Sequence, residues 1–162
     1  MMKTITLLLG LLIFASCSQP HQEQTVKSLN LDSIKQVLKQ TDQAFSDRSK
    51  QIGQQASFLE YMDQNVTMLR PNSMPLVSKD SVEKFYSLRS DTSFVLTWTP
   101  LFADVSSSGD LGYTYGTWLL ETKSGEKGEG TYCSIWKPDS RGDWKFVLDV
   151  GNEGLKQPEK NQ

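Results

Sequence analysis

Apolar positions in the first third of the chain recur at helical spacing. Leu29, Leu31, Ile34, Val37, Leu38, Thr41, Ala44 and Phe45 fall on one stripe, and Asp32 sits where a negative charge favours a helix N-terminus. The spacing predicts a helix over 31–50. Gly53 interrupts it, and 56–63 (ASFLEYMD), with Phe58, Leu59 and Met62 on one face, predicts a second, shorter helix. Residues 66–69 read as a short strand running into Arg70-Pro71, and 71–78 (PNSMPLVS), with two prolines, as a loop. Lys79-Asp80-Ser81 opens a third helix carrying Val82, Phe85 and Tyr86. From Asp91 onward the period changes to two. Strands are expected over 94–105, 111–122, 128–137 and 144–150, separated by the polar turns SSSGD, KSGEK and PDSRGD. Three helices followed by a four-strand meander is an α+β order.

The stretch 96–118 holds the most information about shape. Tyr113, Tyr115 and Thr117 alternate with Gly112, Thr114, Gly116 and Trp118, so one strand carries aromatic rings on one face and glycines on the other. Strand glycines mark a bend or a close approach of other atoms. The expected architecture is therefore a strongly curved antiparallel sheet wrapped around the N-terminal helices, with a pocket inside. Closing such a sheet over the first helix predicts that Asp42, Tyr61, Arg70, Trp98, Tyr115, Tyr132 and Trp136 converge on one cavity. Alternation adds Ser134 to the row of Tyr132 and Trp136. An aromatic row that faces outward instead makes a patch suited to a partner subunit, and both can hold on opposite faces. A homodimer through the outer face of the sheet is expected, because a meander of aromatic-rich strands has more apolar face than one short helix layer can cover.

The ends of the chain read differently. Residues 5–15 are an apolar run, too short to span a bilayer as a helix, ending in Ala15-Ser16-Cys17. The run resembles a bacterial lipoprotein signal, with Phe14 departing from the usual aliphatic residue. That resemblance implies a signal segment over 1–16, acylation of Cys17, a polar tether over 17–28, a domain over 29–153, a disordered tail over 154–162, and an exported, membrane-anchored protein at the periplasm or cell surface. Cys133 then has no intramolecular partner and reads as a small hydrophobe in an apolar strand. Of the 162 residues 37% are hydrophobic and 22% charged, as in a globular domain. A formal net charge of −2 lacks the basic excess that phosphate neutralisation needs, so nucleic acid is not an expected partner.

The single histidine, His21, lies in the tether. A Ser-His-Asp triad, a Cys-His pair and histidine-rich metal sites each need an imidazole in the folded domain, so no metal and no cofactor are expected. Carboxylates remain. Asp42 lies on the apolar stripe three residues before Phe45, where a carboxylate is costly unless paired; it reads as a pocket acid or as half of a buried ion pair with Arg70. Asp149, in WKFVLDV, reads as a buried carboxylate tying strand to loop near Asn152.

The order helix, helix, short strand, helix, long antiparallel strands resembles the nuclear transport factor 2-like superfamily, with its ketosteroid isomerase-like and SnoaL-like members. AFSDRS, ASFLEYMDQNV, KDSVEKFYS, GTYCSIWK and GDWKFVLD carry the likeness over about 31–152. It implies a cone whose bent sheet encloses a pocket used for binding or for catalysis. Carried across residue by residue, the isomerase base falls on Arg70, its protonated acid near Ser134 and its phenol near Phe45. Arginine stays protonated and cannot act as a base, so these departures argue against isomerase chemistry. Three functions stay open: a domain binding a small, partly apolar ligand near Arg70; an enzyme of the cyclase, isomerase or dehydratase type using Asp42 with Tyr61 or Tyr132 as hydrogen-bond donor; or a ligand-free interaction module.

Overall fold

A computed structural model describes residues 29–89 and 93–155. The expected signal segment, Cys17 and the tether lie outside these residues, as does the tail beyond 155. Helix α1 spans Leu31–Ile52. Its N-terminus is capped by Asn30, whose side chain accepts a hydrogen bond from the Ser33 amide at 3.1 Å. Gly53, at φ +89°, closes it by donating its backbone N–H to the Ser49 carbonyl and starts α2, Gln54–Tyr61, at once.

The next strand starts four residues earlier than the apolar pattern indicates. β1 covers Met62–Leu69. The expected loop also contains a two-residue strand, β2 (Leu76–Val77), which pairs antiparallel with β1. Helix α3 (Lys79–Ser87) is capped by Ser78. Then come β3 (Phe94–Val105), β4 (Gly112–Thr122), β5 (Lys127–Pro138) and β6 (Trp144–Glu153).

The sheet order is β2-β1-β6-β5-β4-β3, and β1 runs parallel to β6, with Met68 opposite Asp149 and Leu69 opposite Val150. The meander expected from the turns is thus extended on one side by a parallel strand from the helical half of the chain. The fold is α+β, with a curved, unclosed six-stranded sheet and N-terminal helices.

Curvature comes from β4 and β5. The β3–β4 register slips between Pro100 and Phe102, and beside that bulge a side chain at Gly116 would run into the Thr99 carbonyl. At Gly130 it would run into the Asn152 carbonyl and the Trp118 indole. Strand β3 ends the sheet, and α1 lies along its free edge. Ser46 Oγ accepts from the Trp98 amide and donates to the Trp98 carbonyl, both at 2.7 Å; Ser49 Oγ donates to the Leu96 carbonyl at 2.8 Å and Lys39 Nζ to the Leu101 carbonyl at 2.9 Å. Backbone groups that would otherwise invite another strand are occupied by helix side chains. Phe45 anchors the core between sheet and helices, its ring 4.5 Å from Trp98, 4.8 Å from Phe58 and 5.4 Å from Phe146.

Candidate functional site

The concave face of the sheet and the α1–α2 corner enclose a cavity of about 360 Å³. Strand alternation decides which side chains reach it. On β5 the inward residues are Tyr132, Ser134 and Trp136, while Cys133 and Ile135 lie on the outer face; on β4 Trp118 and Leu120 point inward. The walls are apolar, with Phe58, Leu96, Trp98, Trp118 and Leu120 foremost. Polar groups reach it from four elements or their ends: Arg70 after β1, Ser134 on β5, Asp149 and Glu153 on β6, and Gln54 on α2.

Behind the wall lies a buried polar network centred on Asp42, which is fully inaccessible to solvent. Its Oδ1 accepts from Trp98 Nε1 at 2.8 Å, and its Oδ2 accepts from the Tyr132 hydroxyl at 2.7 Å. Thr114 also hydrogen-bonds Asp42, and in turn accepts from Trp136 Nε1 at 2.9 Å. Burial pushes the Asp42 carboxyl above its ordinary range, while the bonds from Tyr132, Thr114 and Trp98 hold it down. The Tyr132 phenol is pushed strongly upward, first by burial and then by the neighbouring Asp42 charge. The network fixes two cavity-wall rings, Trp98 and Tyr132, from behind.

Of the two acids that line the cavity, Asp149 lies further in and Glu153 is exposed. Ser134 Oγ donates to Asp149 Oδ1 at 2.7 Å. Its depth in the cone pushes the carboxyl up to about 6; the Ser134 bond opposes that, the Asp42 charge adds to it and the Arg70 charge opposes it. Arg70 lies with its guanidinium carbon 4.7 Å from the centre of the Phe85 ring, a cation–π contact. None of the ion pairs among the described residues includes it.

The structure therefore brings together Arg70, Trp98, Tyr132 and Ser134 from the expected set, with Asp42 directly behind them. The other three do not reach the cavity. Tyr61 is stacked on Phe45 at 4.7 Å and faces Lys145, while Phe58, one turn earlier on α2, takes the place in the cavity wall. Trp136 is wholly buried deeper in the sheet, its ring spent on the core and its N–H on Thr114. Tyr115 is on the outer face, 45% exposed and stacked on Phe102 at 5.3 Å, since alternation puts it opposite in sense to Thr114 and Gly116. Of the two alternatives for Asp42, the ion pair with Arg70 does not form; its oxygens are taken by Trp98, Tyr132 and Thr114.

Sequence reading missed Asp149 and Trp118 as cavity residues. The register of Asp149 opposite Ser134 places it inward, and the signal available was the carboxylate inside WKFVLDV, whose strand alternation alone could not be phased against the bulge between Ile135 and Trp136. Among the described residues no cluster of three or more His, Cys, Asp or Glu side chains is placed to hold a metal ion.

No family model matches the chain, and no curated protein matches it in sequence. Solved structures do match in shape. A ketosteroid isomerase-like protein from Erwinia carotovora atroseptica superposes with a TM-score of 0.59 at 10% identity, over 74% of this chain and 96% of that one. A nuclear transport factor 2-like superfamily protein from Salmonella enterica gives 0.59 at 11% identity, over 81% and 98%. The S. rosetta CaMKII hub gives 0.58 at 14% identity, over 74% and 96%. The fold is the nuclear transport factor 2-like cone. At such identities the likeness carries fold and leaves chemistry to the site itself.

Proposed function

We propose that this domain binds a small, partly apolar organic molecule in the cone, with its apolar body against Trp98, Trp118 and Phe58 and its polar end at Arg70. One observation carries the reading. An arginine without an ion-pair partner among the described residues lines a largely apolar cavity of about 360 Å³ that also carries Ser134, Asp149, Glu153 and Gln54, the size and lining of a small-molecule site. A planar guanidinium there selects a carbonyl or carboxylate, which it can hold through paired hydrogen bonds. Native mass spectrometry of the purified protein should find a co-purifying small molecule. Arg70→Met should remove it while leaving the urea midpoint nearly unchanged; retention of the ligand by Arg70→Met sinks the reading.

A second reading, catalysis of proton transfer, is favoured by Asp149, whose carboxyl in an apolar cavity is pushed up to about 6, near the range a general acid–base group needs. Asp42, the acid expected from the sequence, is unsuited, since both of its oxygens are occupied. Deuterium incorporation beside the carbonyl of a bound ring ketone, lost in Asp149→Asn, is the measurement; no incorporation above the protein-free rate removes this reading.

We propose separately that the domain is held outside the cytoplasm, tethered through an acylated Cys17. Support comes from the apolar run ending in Ala15-Ser16-Cys17 and the polar segment after it. Cys17→Ser should shift the protein out of the membrane fraction, and a lipid-free mass for the membrane-fraction wild type counts against acylation.

A further inference from the structure

We propose that the ligand is a monocarboxylate carried on a flat ring body, and that it enters together with one proton, so that its carboxylate sits between the Arg70 guanidinium and the protonated carboxyl of Asp149. This inference rests on the cavity-binding reading above and narrows it to one chemical class.

Two groups in the cavity have bonding capacity that the described residues do not use. Arg70 makes no hydrogen bond or ion pair among them; its close neighbour is the Phe85 ring. Asp149 accepts one hydrogen bond, at Oδ1 from Ser134, and leaves Oδ2 open. These opposite charges line one cavity, yet they do not meet within the ion-pair distance of about 4 Å. A ketone placed there satisfies Arg70 alone. An amine satisfies Asp149 but sits against the guanidinium. A carboxylate has two acceptor oxygens, which complement a guanidinium N–H on one side and a carboxyl O–H on the other.

The second donor exists only when Asp149 is protonated. Burial drives it that way, since desolvation disfavours the carboxylate and the Asp42 charge across the wall adds to the effect. Opposing it are Ser134 and Arg70. Glu153 lies further along the same strand and lines the same cavity. Tyr132 and Cys133, on the neighbouring strand, are both pushed up and carry no charge near neutral pH. An incoming carboxylate repels an ionised Asp149, so above its pKa each bound anion draws one proton from solvent onto Asp149; no bond other than that O–H is made. The ring body is set by the walls, where Trp98 and Trp118 offer aromatic surface.

The experiment uses the purified full-length protein, with N-phenyl-1-naphthylamine as a neutral fluorescent probe of the cavity and 2-naphthoate and 2-naphthamide as competitors. 2-Naphthoate stays ionised between pH 6.5 and 8.5, so any pH dependence there belongs to the protein. The expected result is displacement by naphthoate that weakens as pH rises, approaching about tenfold per pH unit, with uptake of close to one proton per ligand in buffers of different ionisation enthalpy. Asp149→Asn should flatten the pH dependence and Arg70→Met should abolish naphthoate displacement while the neutral probe still binds. If the probe binds but naphthoate competes no better than naphthamide, or competes equally at all pH values, the inference is overturned and the cavity-binding reading survives. If the probe does not bind at all, both fall.

Discussion

Asp42 is a carboxylate in the core with no charged partner among the described residues, held by an indole, a phenol and a threonine. Its removal leaves buried donors unsatisfied, each costing about 1 to 3 kcal/mol. Asp42→Ala should therefore destabilise the domain by about 2 to 4 kcal/mol in urea unfolding, after the relief of desolvating the carboxylate is subtracted. A loss below about 0.5 kcal/mol means the network is not formed in solution. Asp42 and Asp149 also set an unusual pH dependence. Both bind a proton more tightly in the folded chain than at the ordinary 3.8, Asp149 with a value of about 6. The stability they contribute is complete below 3.8 and lost as pH rises through about 6 for Asp149. The urea midpoint should accordingly be higher at pH 5 than at pH 7.5. Asp149→Asn should raise the unfolding free energy at pH 7.5 by about 1 to 2 kcal/mol, a figure reduced because the carboxyl keeps contact with the cavity. A midpoint that falls steadily from pH 7.5 to 5 contradicts the burial of both groups. The sequence showed that Asp42 stands on a core stripe and needs partners. It did not show which, because Trp98, Thr114 and Tyr132 reach it from three different strands.

At the scale of elements, the joint between α1 and β3 bears the most polar pairing. Ser46 and Ser49 lie one turn apart at i and i+3, on the face of α1 turned toward β3, and engage the Trp98 amide and carbonyl and the Leu96 carbonyl of an edge strand. Ser46→Ala leaves the Trp98 amide and carbonyl buried and unpaired, and should cost about 2 to 3 kcal/mol, with faster hydrogen exchange confined to β3. Unchanged exchange at Trp98 would falsify the joint as described. Helices and hairpins were legible because each announces itself locally, through a 3.6-residue period or a Gly- and Asp-containing turn. The start of β1 at Met62 was not, because ASFLEYMD satisfies a helical period to its end and only pairing with β6 breaks it. Nor was the bulge where β5 meets β6, whose phase turns Asp149 toward the cavity on the same side as Phe146.

For the whole molecule the outer face of the sheet is the exposed counterpart of the cone. Phe102, Tyr113 and Tyr115 form a ring cluster there, 40%, 40% and 45% exposed, with Leu101 beside it at 56%. A second copy of this chain, its own sheet face crossing this one, is the occupant we propose. Sedimentation should give a dimer at micromolar concentration and a monomer for Tyr115→Glu; a monomeric wild type at about 100 µM ends the proposal.

The parallel pairing of β1 with β6 bears on the order in which the molecule assembles. Met68 and Asp149 are about 80 residues apart in the chain, whereas every other neighbour pair in the sheet is joined by a short connection. Closing so long a loop is entropically late, so the hairpins of β3 to β6 condense first and β1 docks onto a formed edge. Arg70 follows β1, so it joins Asp149 across the cavity only in that last step. Stopped-flow refolding should therefore show tryptophan burial in the meander preceding the recovery of probe binding. A single phase shared by both signals would mean that the cavity and the meander form together.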